Sequence, residues 1–191
     1  MDRRVRRSRR LLATALLTLV TQKKFSEISV QDITDQADMN RSTFYLHFQS
    51  KEELLLAALV EQFDELVSRF GAISPERTIW EAPELDRWVF EHVAEHAAIY
   101  KALFADPNLG LVIHAVIGYI ADFNERSMHA SLPPDHQPAL PIPILARHIA
   151  GSFYALIHWW LAQGMPYTPA EMGEMANALW ANGCAALLRP H

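Results

Sequence analysis

Apolar residues recur along this chain at intervals of three and four, and no stretch sustains the every-second-residue alternation of a half-buried strand. Leu12, Leu16, Leu19 and Val20 stand at i, i+4, i+7 and i+8, one face of an amphipathic helix. Leu55, Leu59, Phe63, Leu66 and Phe70 form a similar stripe on a helix expected from about Lys51 to Phe70, which Gly71 is expected to stop. Pro83 opens a helix bearing Leu85, Trp88, Val89, His92 and Val93. After the break Asp106-Pro107-Asn108 an apolar helix is expected from about Leu109 to Met128. Five of the eleven prolines then crowd into Pro133–Pro143, marking an exposed loop or a break. Beyond it, helices are expected from about Ile142 to Gln163 and from Pro169 to Leu188, the last with Met172, Met175, Leu179, Gly183 and Leu187 on one face.

Start signals support these boundaries. Ser29-Val30-Gln31-Asp32, Ser50-Lys51-Glu52-Glu53 and Thr168-Pro169-Ala170-Glu171 each place a hydroxyl three residues ahead of a carboxylate, the spacing of a capping box. No proline precedes Pro75, and no Asn-Gly or Asp-Gly hairpin signal occurs. The pattern predicts an all-α chain of about nine helices.

Residues 29–51 carry the most specific local pattern. A helix from Val30 to Ala37, with Val30, Ile33 and Ala37 facing inward, leads through the turn Asp38-Met39-Asn40 to a short helix, Arg41 to His47, capped by Asn40. Phe44 and Phe48, four apart, are expected to lock that helix from beneath. Arg41, Ser42, Thr43, Tyr45 and His47 then face outward. A rigid helix with a hydrogen-bonding outer face is what reading the major groove requires, and Arg41 is the best candidate for a bidentate contact to guanine.

Charge supports this placement. The chain carries a net −5, yet residues 1–51 hold ten Lys/Arg against five Asp/Glu, six of the cations within Arg3–Arg10. Residues 52–191 hold seven against seventeen. A basic head on an acidic body directs the head toward phosphates, and the arm Arg3–Arg10 is expected to act as an unstructured electrostatic contributor. That arm followed by residues 11–20 imitates a signal peptide, even a twin-arginine one. However, Thr21-Gln22-Lys23-Lys24 follows where a small-residue cleavage site belongs, and the apolar stretch is too short to span a bilayer. A single cysteine, Cys184, excludes an internal disulfide or a cysteine zinc cluster, and reads as a small buried thiol on a helix in a cytoplasmic protein. No glycine-rich phosphate loop, nucleophile elbow or catalytic pair is present, so no enzymatic activity and no cofactor are expected.

The run Ile33–Leu54 closely resembles the signature of the TetR/AcrR family of transcriptional regulators, above all in Thr43-Phe44-Tyr45-x-His47-Phe48-x-Ser50-Lys51-x-x-Leu54. Asp38 stands where many members have glycine, and aspartate tolerates the left-handed turn. The resemblance implies an N-terminal three-helix DNA-binding domain (residues 1–51) followed by a larger helical effector-binding and dimerisation domain (52–191). It implies phosphate contacts for Ser29 and Lys51, groove-facing or phosphate roles for Thr43, Tyr45 and His47, and operator choice for Arg41 and Ser42. It further implies a homodimer through the last two helices on a palindromic double-stranded operator, released by a small molecule, with no membrane involved. Small residues on those helices, Gly151, Ser152, Ala155, Ala176 and Gly183, suit close packing with a symmetry mate. Residues 158–172 resemble the C-terminal domain of relatives of the dihydroxyacetone-kinase regulators. A DNA-bound coactivator or corepressor whose body meets a partner protein is the alternative, and an open cavity in the body discriminates the two.

Within the body, Trp88, His92, His96 and Ile99 fall on one helical stripe. With Tyr100, Phe104, Phe123 and His148 they form a candidate aromatic ligand pocket. His92 and His96 also have the i, i+4 spacing of metal ligands. Without a third ligand, hydrogen-bonded histidines are the better expectation, and no metal is assigned.

Overall fold

The apolar stripe near the N-terminus is buried as its spacing requires: Leu12 and Leu16 are fully enclosed, and Leu19 and Val20 nearly so. The three leucines belong to α1 (Arg3–Leu19), and Val20 follows it directly. The computed structural model describes residues 3–73, 83–132 and 138–183 and is all-helical over them. After α1 a 3-10 turn (Phe25–Glu27) leads to α2 (Val30–Gln36), α3 (Arg41–Tyr45) and α4 (Lys51–Ile73). Then come α5 (Pro83–Glu95), α6 (Ala97–Ala105), a second 3-10 turn (Pro107–Leu109), α7 (Gly110–Ser131), α8 (Ile142–Ala162) and α9 (Pro169–Asn182). No single helix among the described residues is long and apolar enough to cross a membrane. The Phe70 side chain, residues 133–137 of the proline loop, Cys184, Leu187 and Leu188 lie outside the described residues.

The chain divides into two compact units. One comprises the described residues up to Gln62 together with Ala98–Val116; the other comprises Phe63–Ala97 and the described residues from Ile117 onward. The first unit is built on one core in which α1 contributes Leu12 and Leu16, α2 Ile33, α3 and the residues after it Phe44 and Phe48, and α4 Leu54, Leu55 and Leu59. Leu103, Leu109 and Val112 complete it. Burying each such side chain stabilises by about 1.5–3 kcal/mol, so the short α2 and α3 persist through packing.

In the second unit α5 and α9 run against each other in the most extensive helix pairing among the described residues. Gly173 makes this approach possible: a Cβ there would lie 2.6 Å from the Arg87 Cα. Phe90 is fully buried between Phe153 and Trp160, with centroids at 6.0 and 5.5 Å. The Trp160 indole N–H donates to the Tyr167 carbonyl at 2.9 Å, tying the end of α8 to the turn before α9. That turn reverses through left-handed residues at Gly164 (φ 77°) and Met165 (φ 60°). The threonine box forms as read, with Thr168 capping Glu171 and the Glu171 carboxylate returning to the Thr168 amide.

Four expectations need correction. Arg3–Arg10 is helical, the first turns of α1, because arginine is a good helix former and nothing interrupts the pattern. Gly71 does not stop α4, which continues to Ile73; glycine permits a left-handed exit without demanding one. At the start of α4 the Ser50 hydroxyl accepts from the Glu53 amide, but the Glu53 carboxylate receives the amide of Gln49 in place of Ser50. The stripe through Trp88, His92, His96 and Ile99 is broken at His96, between α5 and α6. Its Nδ1 lies 2.9 Å from the His92 carbonyl, so side chain and backbone compete for one acceptor.

Candidate functional site

The short α3 is held from three directions within the first unit. Phe44 and Phe48 lie beneath it, 0% and 3% exposed, with rings 6.0 Å apart. At its entrance Asp38 takes the expected left-handed conformation (φ 53°) and Met39 donates to the Thr34 carbonyl, so the turn from α2 is fixed. At its exit Arg9 of α1 donates to the His47 carbonyl at 3.3 Å, and its guanidinium stands 4.3 Å from the Phe48 ring centroid. One arginine of the basic arm thus serves as a pin for α3.

At 100° per residue, Arg41, Ser42, Tyr45 and Leu46 fall on one contiguous side of α3 and its C-cap, and all four are exposed. The Arg41 side chain has no hydrogen bond or ion pair among the described residues. Tyr45 is 52% exposed, packed edge-on against Phe44. Leu46, at 79%, is an apolar residue that the expected outer face omitted. Its position beside Tyr45 on the helical wheel was the available signal.

The other expected contacts have prior engagements. The Asn40 side-chain carbonyl accepts from the Thr43 amide at 2.9 Å and from the Ser42 and Thr43 hydroxyls at 2.6 and 2.8 Å. Both hydroxyls therefore point back at the cap and must rotate to donate to DNA. His47 is half-buried against Phe48. Ser29 caps α2: its amide and hydroxyl both donate to the Asp32 carboxylate at 2.7 Å. Those bonds and Lys23, at 3.0 Å, hold the Asp32 carboxyl down at about 2. A serine so bound to a carboxylate has no donor left for phosphate. Lys51 departs furthest from its expected role. Its ammonium donates to the carbonyls of Phe25 and Ile28, both at 2.7 Å, with Ser26 at 3.5 Å, and sits 4.5 Å from the Phe25 ring centroid. Lys51 closes the end of the 3-10 turn, where the Phe25 carbonyl also accepts the Ile28 amide.

The expected ligand residues fall in both units. Trp88, His92, His96, Phe123 and His148 belong to the second unit, Tyr100 and Phe104 to the first. Arg69 stacks its guanidinium 5.1 Å from the Trp88 ring. His92 and His96 are paired ring to ring at 4.5 Å; burial first, then the neighbouring His96, lowers the proton affinity of His92. No cluster of metal-binding side chains occurs among the described residues. Tyr100, packed on Phe104, is raised to about 12 by burial. His148 is exposed on α8.

A cavity of about 80 Å³, partly open to solvent, lies within the second unit. Of the expected residues Phe123 alone reaches it. Its other walls come from Phe63, Leu85, Val89, Ile149, Phe153 and Trp180, and its polar side chains are Asp86 and Asn124. Phe63 and Phe123 meet edge-to-face at 5.2 Å. Asp86 accepts from the Asn177 amide of α9 at 3.0 Å. Burial raises its carboxyl to about 6, against the opposing pull of Asn177 and Trp180. Sequence reading missed these residues because a 3.6-residue stripe shows that a face is buried, not that its neighbours leave space.

Comparison with known proteins adds two family matches. Residues 12–58 match the model described as bacterial regulatory proteins, tetR family, and residues 87–182 match that of a transcriptional regulator C-terminal region. An HTH-type regulator named EthR, from Mycolicibacterium smegmatis, is 38% identical over 99 residues, 48% of this chain and 43% of that one. DhaS of Lactococcus lactis, the dhaKLM operon activator, is 36% identical over 61 residues, 32% and 33%. YxbF of Bacillus subtilis is 37% identical over 75 residues, 39% of this chain. The matches thus cover from 20% to 43% of these curated relatives. Among solved structures, a TetR-family regulator from Syntrophomonas wolfei superposes with a TM-score of 0.76 at 18% identity, covering 97% of this chain and 99% of that one. FadR from Thermus thermophilus, solved with lauroyl-CoA, gives 0.65 at 19% identity, covering 96% and 97%. These two likenesses show the fold.

Proposed function

Because the chain belongs to the TetR family of bacterial regulatory proteins, we propose that it acts in the cytoplasm as a homodimeric repressor, released from a palindromic operator by a small molecule. That it is a DNA-binding transcriptional regulator and not an enzyme follows from the family. The observation that carries the finer reading is the exposed side of α3, presented by a helix pinned from below, at its entrance and at its exit. In this reading Arg41 pairs with guanine, Tyr45 reaches a phosphate, and Ser42 and Thr43 exchange the Asn40 carbonyl for DNA acceptors. Leu46 packs on a thymine methyl. Ser29 and Lys51 serve as supports of the fold.

For the dimer, α8 carries exposed Ile144 and Trp159, and α9 exposed Met175 and Leu179, apolar surface of the kind a partner covers. Ala176, expected at that interface, is instead buried within the unit. The open cavity supports a small-molecule effector over a purely protein partner. Operators selected from random-sequence DNA test the reading: the full chain should enrich a palindrome. Arg41→Ala should weaken binding about 10- to 100-fold and relax one base position. Failure to enrich any sequence at physiological salt defeats it.

A further inference from the structure

Asn124, 6% exposed, places its side-chain amide in the lining of the cavity of the second unit. A buried amide in native proteins is nearly always paired, so an amide that lines accessible space can serve a polar group entering from outside. Opposite in character, Asp86 is the single charged residue of the same lining. It has hydrogen-bond donors from α9 but no counter-ion in the lining. Everything else around the space is apolar, with three phenylalanines, Phe63, Phe123 and Phe153, among the walls.

This combination discriminates between ligand charges. An anionic head would meet an uncompensated carboxylate in surroundings that screen it poorly. An ammonium would find the Asp86 carboxylate, the Asn124 carbonyl oxygen and aromatic walls able to stabilise a cation. Size narrows the choice. The space, about 80 Å³, is roughly half the ~150 Å³ of an engineered cavity that admits benzene. It fits the terminal –CH2–NH3+ of a longer molecule whose remainder leaves through the open side. Building on the reading of this unit as the effector-binding body, we propose that the cavity takes the ammonium end of a lipophilic amine, with Asp86 as counter-charge and Asn124 as hydrogen-bond partner.

The test is calorimetric titration of the full chain with hexylammonium, hexan-1-ol and hexanoate, for the wild type, Asp86→Asn and Asn124→Leu. Hexylammonium should bind at least tenfold more tightly than hexanoate. Asp86→Asn is nearly isosteric and removes a buried charge, so it should keep its fold; it should weaken hexylammonium tenfold or more and leave hexan-1-ol within about twofold. Asn124→Leu should weaken the amine several-fold. Hexanoate binding as tightly as the amine, an amine affinity untouched by Asp86→Asn, or no binding of any of the three overturns the proposal. Release of the selected operator is measured separately. Amine binding with the expected charge dependence but without release upholds the site and defeats the effector reading alone.

Discussion

Replacing Lys51 by methionine separates a structural lysine from a DNA-binding one. Methionine keeps most of the apolar stem over the Phe25 ring and deletes the ammonium with its two 2.7 Å bonds to Phe25 and Ile28. Hydrogen bonds to a charged group contribute about 1.5–3 kcal/mol each when buried. Phe25 O also accepts the Ile28 amide, so one carbonyl keeps a partner. Lys51 is half-buried, so water can replace part of the rest, and a total near 2 kcal/mol is expected. For a chain of this length about 2–4 °C of Tm accompanies each kcal/mol, which places the loss at about 4–8 °C by calorimetry. DNA binding supplies the second readout. Each phosphate neutralised contributes about 0.9 to the slope of log K against log salt concentration. Lys51→Met should leave that slope unchanged under conditions where the variant is folded. A variant as stable as the wild type, with a slope reduced by about 0.9 per protomer, would refute the assignment and restore Lys51 to the phosphate backbone.

Asp86→Asn should also change the pH dependence of stability. The acid is displaced from 3.8 to about 6, which at 1.36 kcal/mol per pH unit amounts to about 3 kcal/mol, an order of magnitude for this largely buried group. Because the folded-state value is raised, the protonated acid's contribution is complete below about pH 4 and is lost as pH rises through 6. The difference between wild type and variant in urea denaturation should grow across that window in the variant's favour, and a flat difference would contradict it. Gly173→Ala forces a methyl onto the Arg87 backbone and should destabilise by about 1–3 kcal/mol through separation of α5 from α9; an unchanged urea midpoint would show that the two helices give way freely. Leu179→Lys, at a residue 66% exposed, should leave the fold of the chain within about 0.5 kcal/mol and convert the dimer to monomer in sedimentation. A variant that still sediments as a dimer places the interface elsewhere.

The helical stripes were legible because burial and 3.6-residue periodicity are the same fact seen twice. Leu12 and Leu16, Phe44 and Phe48, and Leu55 and Leu59 are all buried. Caps were legible for a related reason: Ser29, Asn40 and Thr168 act within three residues of themselves. Where a feature depends on what another segment does, the sequence was silent or misleading. Gly71 has the freedom to end a helix, but the chain around it continues helical. His96 sits on the extrapolated stripe of α5, yet the helix breaks there, and Tyr100 and Phe104 beyond it belong to the first unit. Asp86 and Asn124 lie on different helices, 38 positions apart, and no local pattern announces that they share a cavity with Phe63 and Trp180.

Cations expose the same boundary most sharply, because a long flexible side chain can serve either DNA or its own fold, and spacing alone cannot tell which. Arg9, Lys23, Arg41 and Lys51 all add to the basic charge of residues 1–51. Three of them are engaged internally: Arg9 with the end of α3, Lys23 with Asp32, and Lys51 with the carbonyls of a 3-10 turn. What decides their fate is the supply of unsatisfied acceptors nearby, and a turn or helix end creates such acceptors wherever it falls. Arg41 stands one residue past a cap whose acceptor oxygen already takes three donors, so its guanidinium has nothing local to bind and stays exposed. The number of lysines and arginines near the N-terminus therefore overstates the phosphate contacts available. The salt slope of operator binding should be correspondingly shallower than that count implies.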